Sequence, residues 1–194
     1  MKATLTYLVL LLSVACSSPN QGRATQSPNS SKADSASVAK AKSSPATEPL
    51  KIPLFNDVAR TQKKLATISR GGIRNWHYDG LGWSASSLYE FGSPGIGQLS
   101  NNLTLYLESS RQNEVQTLKV KVSIPNMNQK SRALTQYAST VEKAFKAIGE
   151  PIPDDLTTAL RRGKPYAKET PTMSIENRLE EGQYNSWVLI VSSY

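Results

Sequence analysis

The chain has 194 residues, a formal net charge of +8 and 38% hydrophobic residues, with one cysteine and one histidine. A single cysteine excludes a disulfide framework, and a single histidine excludes a His-rich zinc centre. No apolar run reaches the roughly 20 residues that a membrane-spanning helix requires.

Lys2 is followed by an apolar run from Ala3 to Leu12 and then by Ser13-Val14-Ala15-Cys16. A basic start, a short apolar stretch and small residues before a cleavage point define a secretory signal peptide over residues 1–15. With its cysteine directly after Val14 and Ala15, the segment resembles the bacterial lipoprotein signal. The resemblance implies that Cys16 is acylated and becomes the mature N-terminus, anchoring the chain to a membrane of the cell envelope. In a Gram-negative host, Ser17 in place of an aspartate implies the outer membrane. Each buried CH₂ of an acyl chain contributes about 0.8 kcal/mol, and two or more chains anchor stably.

Residues 16–49 read as a linker. Beyond Cys16 they are almost entirely Ser, Ala, Pro, Asn, Gln, Thr and a few charges, and Val38 is the one large aliphatic. Such a composition buries too little apolar surface to offset the entropy of ordering, so the segment is expected to be disordered. As a coil it would span roughly 30 Å, and roughly 100 Å if extended.

Residues 50–194 have the size of one domain with its own core. Asn56 or Asp57 caps a predicted helix running to about Ser69, with Leu54, Val58, Leu65 and Ile68 on one face, stopped by Arg70-Gly71-Gly72. A strand is predicted over Trp83–Phe91. Next, Leu103, Leu105 and Leu107 alternate with polar residues. After a turn at Ser110-Arg111-Gln112-Asn113, a further strand puts Leu118, Val120, Val122 and Ile124 on one face. Helical spacing over Ser131–Ile148 aligns Leu134, Tyr137, Ala138, Val141, Phe145 and Ile148, and Gly149 ends the helix. A short helix from Pro153 carries Asp154 and Asp155 in its first turn, with Arg161, Arg162 and Lys164 at its other end, matching the helix dipole. Strands over Met173–Asn177 and Tyr184–Ser192 close the chain. The order α-β-β-β-α-α-β-β predicts a single α+β domain, an antiparallel sheet with helices packed on one face.

Catalytic chemistry finds little support. His77 alone would have to serve any triad or metal site, and no metal or cofactor is implied. Ser37-Val38-Ala39-Lys40 matches Ser-x-x-Lys but lies in the linker, where a nucleophile lacks a rigid, desolvated setting. Gly92-Ser93-Pro94-Gly95-Ile96-Gly97 has the glycines of a phosphate loop, but a strand rather than a helix follows it. Asp79, Glu90 and Glu108 are the carboxylates available for acid–base work.

Two features point to binding. In Trp76-His77-Tyr78-Asp79-Gly80-Leu81-Gly82-Trp83, aromatic residues sit among glycines. Trp76, Tyr78 and Trp83 read either as a stacking platform for a sugar or peptide, with Asp79 and Asn75 as hydrogen-bond partners, or as anchors into the core. The second feature is charge, +5 over residues 50–194 from 18 Lys and Arg against 13 Asp and Glu. On an exported protein this suits envelope polymers or anionic lipid rather than nucleic acid. The reading is a membrane-anchored envelope lipoprotein whose domain is a non-enzymatic binding or accessory module for a protein partner or cell-wall polymer. The alternatives are an envelope glycan or peptide hydrolase using carboxylates, and a periplasmic inhibitor or immunity lipoprotein.

Overall fold

A computed structural model describes residues 50–194; the signal segment, Cys16, the linker and Ser37–Lys40 lie outside the described residues. The elements follow in the order α1 (Val58–Ala66), β1 (His77–Tyr78), β2 (Trp83–Phe91), β3 (Asn101–Ser109), β4 (Thr117–Ile124), α2 (Lys130–Ile148), α3 (Asp154–Arg162), β5 (Tyr166–Glu169), β6 (Met173–Glu180) and β7 (Asn185–Ser193). The strands form one sheet in the order β1-β2-β3-β4-β7-β6-β5, every neighbouring pair antiparallel. The predicted α+β domain is therefore present. It carries two short strands more than the sequence pattern announces, β1 and β5, one at each edge of the sheet.

The sheet consists of two meanders, β1–β4 and β5–β7, joined through α2 and α3, so that β4 and β7 meet at its centre. Strand alternation sorts the side chains. One face carries the cross-strand row Ala85, Leu107, Leu118, Val191 and Ile175, and the next row Leu105, Val120 and Leu189. All eight are buried. The long helix α2 packs against β4 and is flanked by α1 and α3. Ala133, Leu134, Tyr137, Ala138, Val141, Ala144, Phe145 and Ile148 of α2 are buried, at the spacing of one helical face. Removing a buried aromatic such as Phe145 would cost about 3–5 kcal/mol.

The helix ends follow local chemistry. Asp57 Oδ1 accepts from Arg60 N–H at 2.9 Å and caps α1. Gly149 closes α2 with φ +82, and Glu150 N–H returns to Phe145 O at 3.1 Å. Helix α1 stops at Ala66, three residues short of the predicted Ser69. In that last turn Thr67 Oγ1 donates to Lys64 O and Ser69 Oγ to Gly72 O, so the hydroxyls compete for the backbone and the helix gives way.

The opposite face of the sheet is mixed in character. Its rows run Ser84, Glu108, Thr117, Ser192, Ser174 and Ser86, Tyr106, Lys119, Ile190, Glu176. Lys119 pairs with Glu108 at 2.6 Å and Lys121 with Glu180 at 2.8 Å. No helix among the described residues is long and apolar enough to cross a membrane.

Candidate functional site

The Trp76–Trp83 segment builds one corner of the sheet. Tyr78 pairs with Trp83 and His77 with Ser84. Asp79 N–H donates to Gly82 O at 3.0 Å, closing a tight hairpin in which Gly80 takes φ +97. Only glycine fits at position 82, because a Cβ there would lie 2.8 Å from the backbone oxygen of Ser109. The hairpin thus lies directly against the end of β3.

Asp79 holds this hairpin together. Its Oδ1 accepts from Leu81 N–H and Gly82 N–H, each at 3.0 Å, and its Oδ2 accepts from Ser84 Oγ at 3.2 Å. The two backbone N–H groups, Leu81 first and then Gly82, hold the carboxyl below its ordinary value of 3.8, with Ser84 and the nearby His77 adding to the effect. Such a group stays ionised and accepts hydrogen bonds; it is poorly suited to deliver a proton.

The three aromatic side chains gather around Trp83. The Trp76 and Trp83 rings stack with centroids 6.4 Å apart and planes at 22°. Tyr78 lies 6.0 Å from Trp83 at 56°. Trp76 is half-buried against the core, and its Nε1–H donates to Gln112 O at 2.8 Å, tying the hairpin to the β3–β4 turn. Tyr78 is 60% exposed, and at the hairpin tip Leu81 is 98% exposed. Trp76 thus anchors the segment, and Tyr78 is presented to solvent.

Beside the hairpin lies an open groove of about 640 Å³. Its walls include Arg74, His77, Asp79, Trp83, Tyr106 and Glu108. Ser84, Ser86, Ser109, Ser110 and Thr117 add hydroxyls. Of the four candidate binding residues, Asp79 and Trp83 line the groove, whereas Trp76 and Tyr78 do not. His77 and Ser84 form a cross-strand pair whose members both line the groove, whereas in the next pair, Tyr78 and Trp83, only Trp83 borders it. The chain matches no family model, no curated protein and no solved structure.

The groove's side chains are selectively engaged. Glu108 is paired with Lys119, and Asp79 is taken up by its own turn. Gln116 Oε1 accepts from Ser110 N–H and Oγ–H, and its Nε2 donates to Glu114. Glu90 sits at the far end of β2, opposite Asn102, six residues from the Ser84–Glu108 pair. At about 3.4 Å per residue this separates Glu90 and Glu108 by roughly 20 Å, beyond the spacing of a glycosidase acid pair. Among the described residues no three of His, Cys, Asp and Glu gather as metal ligands.

Arg74, Tyr106 and the Ser86 and Thr117 hydroxyls are parts of this site that sequence reasoning missed. Tyr106 reads in sequence as one outward residue between Leu105 and Leu107. Only the register, which sets Ser86 opposite Tyr106 and Glu108 opposite Thr117, assembles the groove. The glycine-rich loop after β2 is a connection held by Asn126, whose Nδ2 donates to Ser93 O and Pro94 O.

Proposed function

We propose that this chain is an envelope lipoprotein, anchored to a membrane by acyl chains on Cys16, whose domain binds a cell-wall polymer in the corner groove without transforming it. The observation that carries the binding part is the state of the two groove carboxylates. Asp79 is consumed by its turn and Glu108 by Lys119, so no free acid–base pair remains. What the groove offers is hydroxyls, a guanidinium, an imidazole and the aromatic ring of Tyr106. That is a surface for hydrogen bonding and stacking against a polyhydroxylated chain. The test is co-sedimentation of the chain with purified, washed cell wall, alongside a Tyr106→Ala, Ser86→Ala double variant. Specific sedimentation weakened in the variant supports the reading, and no sedimentation, or wall degradation during the assay, counts against it.

A second reading, a protein partner in the envelope, is favoured by the hairpin tip. Leu81 is almost wholly exposed beside an exposed Tyr78. An aliphatic and an aromatic side chain together on a rigid turn suit an anchor for a partner's pocket.

A further inference from the structure

We infer that Arg74 makes the groove selective for a ligand bearing an acid group, a carboxylate or a phosphodiester, on a polyhydroxylated chain. The inference rests on the groove reading above and names its ligand class.

Arg74 owes its place to a local irregularity. His77 pairs with Ser84, but Arg74 N–H donates to Ser86 O at 2.9 Å. The first segment takes three residues to cover what β2 covers in two, a one-residue bulge. The regular register would set Asn75 opposite Ser86; the bulge sets Arg74 there instead, on the wall of the groove. Gln62 Nε2 donates to Arg74 O at 3.0 Å and fixes the bulge from α1.

The charges around it are settled among themselves. Glu108 is held by Lys119 at 2.6 Å, and Asp79 accepts three hydrogen bonds. Among the described residues Arg74 has neither a carboxylate within ion-pair distance nor a side-chain hydrogen bond to its guanidinium. Its planar fork of donors is therefore available, and such a fork matches a carboxylate or a phosphate.

His77 supplies a different contact. Its Nδ1 lies 3.0 Å from Asn75 O, and a carbonyl only accepts, so Nδ1 carries the proton. With Nδ1–H committed to Asn75, Nε2 is the ring nitrogen left for a ligand hydroxyl, accepting from it in the neutral ring and donating to it in the charged one. A cationic fork, an imidazole nitrogen and the Tyr106, Ser86 and Thr117 hydroxyls together describe a polyol with an acid substituent.

The experiment is calorimetric titration of the chain from Cys16 onward, which contains every core residue from Ile52 to Val191. The probes are tetragalacturonate, its neutral methyl ester and a short glycerol-phosphate oligomer. The expected result is that at least one acid probe binds tenfold or more tighter than the ester, that Arg74→Gln abolishes the difference, and that Arg74→Lys restores part of it. Preference between the two acid probes identifies the source as a sugar carboxylate or a phosphodiester. Equal binding of ester and acid, or acid binding indifferent to Arg74→Gln, overturns the inference and leaves the groove reading standing. Failure of all three probes also overturns it, and the cell-wall sedimentation then decides the groove reading separately.

Discussion

The hydroxyl of Tyr137 donates to Asn177 Oδ1 at 2.8 Å inside the core, and Asn177 Nδ2 passes the connection to Lys164 O at 2.8 Å. This buried chain links α2, β6 and the turn after α3. Tyr137→Phe removes the donor and leaves Asn177 Oδ1 buried without it, at a cost of about 1–3 kcal/mol. Denaturant unfolding of the two proteins at neutral pH measures it.

The same tyrosine gives a pH signature. Burial, opposed by the Leu189 backbone and reinforced by Glu180, raises the Tyr137 hydroxyl well above 10.0. Its folded pKa exceeds its unfolded one, so its contribution is fully present below pH 10 and is lost as pH climbs through the folded value. The stability gap between wild type and Tyr137→Phe should therefore narrow above pH 10. Tyr166, raised to about 12 mainly by desolvation and further by Asp155, acts in the same direction and remains in both proteins. Unfolding midpoints between pH 8 and 11 give the comparison, and a constant gap would contradict it.

Asp79 behaves in the opposite sense. Its pKa is lowered in the folded chain, so its support of the hairpin is present above 3.8 and disappears as pH falls through the folded value. The amide resonances of Leu81 and Gly82 should shift together with a midpoint below 3.8. In Asp79→Ala those amides should exchange faster at neutral pH while the α2 amides stay protected.

Gly82→Ala tests how tightly the hairpin abuts β3. The new methyl would meet Ser109 O at 2.8 Å, and backbone cannot swing aside as a side chain does. A loss of about 1–3 kcal/mol is expected, with the denaturant m-value unchanged.

Much of the fold was legible because its long strands and α2 carry clean periodicity. Leu103, Leu105 and Leu107 alternate with polar residues, and Leu118, Val120, Val122 and Ile124 do likewise, so β3 and β4 stand where the pattern puts them. Strand β2 runs over Trp83–Phe91, as expected. The edges were invisible for a physical reason. His77 and Tyr78 of β1 are both exposed, and β5 has only Tyr166 half-buried among exposed neighbours, so neither strand shows an inside and an outside. The site was half legible. Asp79 and Trp83 stand in a turn-rich aromatic segment that local sequence marks, whereas Arg74 and Tyr106 join them through a bulge and a cross-strand register that depend on the whole sheet.

Leu81→Ser separates folding from recognition. At 98% exposure the side chain supports nothing in its own domain, so stability should stay within about 0.5 kcal/mol. Recovery of an envelope protein by the chain, if the hairpin tip is an anchor, should drop sharply in the same variant.

The acyl attachment proposed at Cys16 is tested most directly by intact-mass analysis of the chain isolated from envelope membranes. The expected product begins at Cys16, carries the added mass of a diacylglyceryl group, and stays with the membrane through a high-salt wash until detergent is added. A product with a bare thiol at Cys16, released by plain buffer, would contradict it.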